Sequence, residues 1–167
     1  MPEHDDEDSP PRSRRTWVWG LVIVVVAALV AAPFIFGNRL ESLTDESLAA
    51  ARDLWDKAGP DDYDMDVVVS GAQSGRYEVS VRDGKLERLW RDGRPADPAA
   101  GEYWTVPGLF RTLEEEMEYA RSEAAKGSVE RTILLARFDP QDGHPVQFMR
   151  HVAGTQRSVR IEVESLE

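Results

Sequence analysis

The sequence predicts an α+β fold: an N-terminal transmembrane helix, then a domain of α-βββ-α-βββ order with its helices packed on an antiparallel sheet. Three observations predict it. Residues 17–36 form an uncharged apolar window, two later stretches repeat apolar residues at helical spacing, and two others alternate with period two between Gly-containing turns.

In the window from Trp17 to Phe36, 18 of 20 residues are apolar and only Gly20 and Pro33 interrupt. As a helix it would be about 30 Å long, the thickness of a bilayer core. Trp17, Trp19, Phe34 and Phe36 suit the two interfaces, where an aromatic ring can keep one edge wet. A cleaved signal peptide has a shorter apolar core, about 7 to 15 residues. Val30-Ala31-Ala32 imitates its cleavage site, but Pro33 would then begin the mature chain, so an uncleaved anchor is the better reading. Arg12, Arg14 and Arg15 precede the window and only Arg39 follows closely, which places the N-terminus in the cytoplasm and the remainder outside. Residues 1–16 are Pro-rich and acidic with almost no apolar side chains, and they are expected to be a disordered cytoplasmic tail. Alanines 27, 31, 28 and 32, spaced by four, would admit a second helix closely, with a plain anchor as the alternative.

Residues 37–43 read as a linker and 44–167 as an extracytoplasmic α+β domain. Thr44 is an N-cap candidate with Asp45 and Glu46 in the first turn, and Leu48, Ala51, Leu54, Trp55 and Ala58 make an apolar stripe up to Gly59-Pro60. Tyr63, Met65, Val67 and Val69, and then Tyr77, Val79 and Val81, alternate as strands. Asp83-Gly84 is a hairpin signal, since a type I′ turn needs positive φ at both central residues. Leu86 to Arg91 returns. After a loop at 94–101, Thr105 caps a second helix with the stripe Leu109, Phe110, Leu113, Met117, Ala120 and Ala124, its glutamates on the wet side. Three strands follow, at 129–138, 146–152 and 157–163. Neither three-stranded unit could bury its apolar face alone, so one continuous sheet with helices on one face is expected. The other face, with Glu78, Arg82, Glu162 and Glu164, would be partly wet.

Composition excludes several functions. The 167 residues carry 20 basic and 31 acidic side chains, net -11, and no cysteine. Disulfides, thiolate metal sites, a cysteine nucleophile and a lipidated cysteine are therefore excluded. The acidic balance argues against nucleic acid as a partner, because phosphate binding needs positive charge.

Trp55 with Ala58, Tyr63 at the start of the first strand, the run Tyr77-Glu78-Val79-Ser80-Val81-Arg82-Asp83-Gly84, Val106 to Phe110, and Phe138-Asp139-Pro140 followed by Gly143-His144-Pro145 occur together. In these the chain resembles a family of small bacterial exported domains of unknown function, often lipoproteins, with a Tyr-x-Val-x-Val-x-x-Gly hairpin and an Asp-Pro…Gly-Tyr-Pro turn. The resemblance spans roughly 45–167 and implies no activity. His144 stands where the turn usually has Tyr. In topology alone the chain is similar to small periplasmic modules of the PepSY and beta-lactamase-inhibitor kind, which bind other proteins.

Candidate chemistry is sparse. Asp61, Asp62, Asp64 and Asp66 imitate the start of an EF-hand loop, but Val67 replaces its glycine and Gln73 its bidentate glutamate, so a solvated strand face is the better reading. His144 and His151 could meet at a metal only if a hairpin folded back. Gly71-Ala72-Gln73-Ser74-Gly75 is not a nucleophile elbow. No catalytic residue, metal or cofactor is assigned. Trp90, Tyr103 and Trp104 are the candidate partner surface, since aromatic anchors dominate interfaces. The function expected is a membrane-anchored, non-enzymatic module that binds or assists another envelope protein. A structural component acting through its span and tail is one alternative, and a metal-dependent or hydrolytic enzyme the other.

Overall fold

The computed structural model describes residues 39–71 and 74–167. The expected tail at 1–16, the apolar window at 17–36 and the first part of the linker lie outside the described residues. No helix among the described residues is long and apolar enough to cross a membrane.

The elements in order are β1 (Glu41–Ser42), α1 (Asp45–Ala58), β2 (Tyr63–Ser70), β3 (Gly75–Arg82), β4 (Lys85–Arg91), β5 (Arg94–Pro95), two single 3₁₀ turns, α2 (Val106–Ala125), β6 (Thr132–Phe138), β7 (Pro145–Val152) and β8 (Ser158–Leu166). This corrects the expected α-βββ-α-βββ domain. Among the described residues the structure is one eight-stranded antiparallel sheet, mostly strand with two α-helices, in the order β1-β6-β7-β8-β2-β3-β4-β5. Strands of two residues close both edges, and one of them, β1, lies in the stretch expected to be linker. Their period-two pattern is too short to see in a sequence, and pairing with β6 and β4 alone holds them extended. Short strands, charges and Pro95 at the edges also discourage pairing with other chains.

The last strand is inserted at the centre. β8 pairs with β7 on one side and β2 on the other, joining the two meanders, with a register shift between Asp66 and Val67. Local chemistry fixes the corners. Asp83 and Gly84 have φ of 51° and 68°, as a type I′ turn between β3 and β4 requires. Thr44 and Ser47 form a reciprocal capping box at the start of α1.

The core lies between one face of the sheet and both helices. Leu48, Ala51 and Trp55 from α1 and Val106, Leu109, Phe110, Leu113 and Met117 from α2 pack on Tyr63, Met65, Val67, Val69, Tyr77, Val79, Val81, Phe148, Ile161 and Val163. At about 25 cal/mol per Å² of apolar area removed from water, this cluster is the main stabilising term. Period two then forces the residues between them onto the opposite face, which no helix of the described residues covers.

Candidate functional site

The face of the sheet opposite the core is covered by no helix among the described residues. Its centre is an ion-pair lattice. Asp64 on β2 accepts from Arg82 Nη2 at 2.7 Å and from the Ser80 hydroxyl, both on β3. Arg82, and after it Ser80, hold the Asp64 carboxyl below the usual carboxylate range. Arg76 bridges Asp66 at 2.7 Å and Glu164 on β8, and these two carboxylates raise its pKa further. Arg88 on β4 reaches Ser80 Oγ at 3.4 Å. On β7 and β8, Gln147, with its side-chain oxygen turned toward Arg160, accepts from Arg160 Nε. Ser80 stands directly opposite Asp64 and Arg88, while the long arginine side chains reach Asp64 and Asp66 on the diagonal and, from Arg76, Glu164 on the far side of β2.

Apolar groups flank the lattice on both sides. Trp90 on β4, opposite Glu78, is 39% exposed and borders a shallow groove of about 430 Å³ with Asp64, Glu78, Ser80 and Arg88. On the other side Ile133 and Leu135 of β6 share the face with Met149 of β7, which pairs directly with Leu135. Ile133 is 38% exposed; Leu135 and Met149 are half-buried.

The three aromatic residues proposed from sequence do not converge. Trp90 alone lies on the uncovered face. Trp104 stacks on Tyr77, centroids 4.0 Å apart, and Tyr77 is a buried residue of the covered face. Tyr103 is exposed in the second 3₁₀ turn, with the Arg111 guanidinium 5.2 Å above its ring. The strip of Ile133, Leu135 and Met149 was missed. Its signal is present in Thr132-Ile133-Leu134-Leu135-Ala136, where consecutive apolar residues on a strand place apolar groups on both faces.

The candidate metal ligands separate in the same way. Asp62 accepts from the Asp83 backbone N–H at 2.7 Å and fastens the hairpin turn. Asp64 and Asp66 belong to different ion pairs, and the Asp61 carbonyl accepts from Gly84 N–H. His144 precedes β7 and His151 sits near its far end, about 20 Å away along an extended strand. Among the described residues, Asp139, Asp142 and His144 are the one group of three ligand-type side chains close enough to share an ion. Their oxygens already serve the turn: Asp139 accepts from Gln141 N–H at 2.7 Å, and Asp142 accepts from His144 N–H at 3.0 Å and lies 2.6 Å from His144 Nδ1. The His144 ring meets Trp55 edge-on at 6.5 Å, so this turn docks the β6–β7 hairpin against α1.

The helical side carries an open cleft of about 770 Å³ where α1 ends and α2 begins, lined by Trp55, Pro60, Tyr63, Leu86, Pro107 and Arg111 and crossed at its rim by the Arg52–Glu114 ion pair. Glu116 departs from the wet helix face expected of it. Both its oxygens accept from Arg150 Nη1 at 3.0 Å beneath α2.

No family model, curated protein or solved structure matches this chain.

Proposed function

We propose that the chain is a single-pass, membrane-anchored accessory protein of a bacterial cell envelope, and that its domain works without catalysis, by binding a protein partner outside the cytoplasm. The apolar window at 17–36 is the anchor, and the arginine asymmetry around it, Arg12, Arg14 and Arg15 against Arg39, supports an outward-facing domain.

One observation carries the binding role. Trp90 stands exposed on the uncovered sheet face, beside Arg88 and over the groove. Tryptophan and arginine are among the residue types that dominate protein–protein affinity. The surrounding charges support the same reading, since most are paired within the face and can be covered without stranding an ion.

The test is a photo-crosslinking amino acid in place of Glu78, the cross-strand neighbour of Trp90, in the full chain in its membrane, with Glu115 on the exposed side of α2 as the control position. A discrete protein adduct from position 78 that is lacking at position 115 is the expected result. Equal labelling from the two positions, or none, contradicts the reading.

A further inference from the structure

We infer that the occupant of the uncovered face is a second copy of this chain, the two sheets packing face to face around a two-fold axis at the centre of the face. The inference rests on the reading that this face is the contact surface, and names what covers it.

Area is the first argument. Six strands of seven to nine residues, spaced about 4.8 Å apart and rising about 3.3 Å per residue, present on the order of 750 Å². A standard stable interface buries about 800 Å² per partner. The face is thus the size of one half of a dimer contact, and stacked sheets at about 10 Å separation are an established way to close such a layer.

Self-complementarity is the second argument. The centre of the sheet falls between β8 and β2, where Val68 pairs with Glu162. The strip of Ile133, Leu135 and Met149 lies on β6 and β7 to one side; Trp90 lies on β4 to the other. A two-fold axis in the plane of the face, running roughly along the central strands, exchanges these halves. The apolar strip of each copy then covers the tryptophan half of its partner, twice over by symmetry. The charges between them carry both signs: Asp64, Asp66 and Glu164 pair with Arg82 and Arg76 within each copy, and Glu78 and Glu162 share the face with Arg88, Arg137 and Arg160. A face of one sign would repel its twin, whereas this one enters the contact with both signs interleaved and its central carboxylates paired.

Val68 lies close to the proposed axis, so its two copies would face each other. The chain has no cysteine, which makes a single introduced thiol an unambiguous reporter. The experiment uses the full chain in its membrane with V68C, with E162C as a second near-axis position and E115C on the helical side as control, under mild oxidation. The account expects disulfide dimers from V68C or E162C, none from E115C, and at least a tenfold loss of dimer yield when Trp90→Ala is added. If neither near-axis cysteine crosslinks while the crosslinker at position 78 captures a different protein, self-association is overturned and the contact face stands. If position 78 captures nothing as well, both are overturned.

Discussion

The Tyr63 hydroxyl accepts a hydrogen bond at 3.1 Å from the backbone N–H of Val106, tying the first residue of β2 to the first residue of α2. Both residues are buried, and the Tyr63 ring meets Trp55 of α1 edge-on at 5.6 Å. One side chain therefore holds the sheet and both helices together. Tyr63→Phe keeps the ring and leaves a buried N–H without a partner, which costs about 1–3 kcal/mol. Urea unfolding of wild type and variant measures it as a lower midpoint with unchanged slope.

The same burial raises the Tyr63 pKa in the folded state, desolvation outweighing the hydrogen bond from Val106. A raised pKa means that the contribution to stability is complete below the unfolded value near 10 and is lost as pH rises through the folded value. Stability should fall on the alkaline side of pH 10, and the Tyr63→Phe variant should show a shallower fall. Thermal melts of the two proteins between pH 9 and 11 check this.

Asp64 sets the opposite limb. Its folded pKa is lowered by Arg82 and Ser80, so its contribution is present above the unfolded value near 3.9 and disappears as pH falls through the folded value. Asp64→Asn should flatten the acid side of the stability curve below about pH 4. The group is exposed, so the change is small, and added salt should shrink it further.

Gly143→Ala addresses the turn that docks on α1. Gly143 has φ of 83°, and a Cβ there would stand 2.2 Å from the Ala51 carbonyl oxygen. A left-handed conformation costs an alanine about 1–2 kcal/mol before any clash is counted, so a loss of about 2 kcal/mol or more is expected. Guanidinium unfolding quantifies it, with Gly154→Ala as a comparison in which the φ is similar and no neighbour lies within 4 Å.

Strong local signals were legible in the sequence because each is decided within a few residues. Thr44, Asp83-Gly84 and the stripe from Leu109 to Met117 mark a cap, a type I′ turn and a buried helix face wherever they occur, and the domain places them so. The global arrangement was not. Nothing local tells Ile161 and Val163 to pair beside β2 in the middle of the sheet, or Glu41–Ser42 to close its edge; both follow from pairing between residues far apart in the chain. The site was partly legible. Trp90 was identified by residue type, but Trp104 has the same chemistry, and only the fold separates them: Trp90 stands on the uncovered face of β4, and Trp104 ends a 3₁₀ turn packed on Tyr77.

The central claim is that the uncovered sheet face is where this domain meets its partner. Hydroxyl-radical footprinting of the full chain in its native membrane reads this directly, by comparing oxidation of Trp90 and Met149 on that face with Tyr103 and Tyr119 on the helical side, which are 52% and 55% exposed. The account predicts that Trp90 and Met149 are protected at native density and become reactive on detergent dilution, while Tyr103 and Tyr119 react equally in both. Full reactivity of Trp90 in the membrane, or protection confined to the two tyrosines, would contradict it.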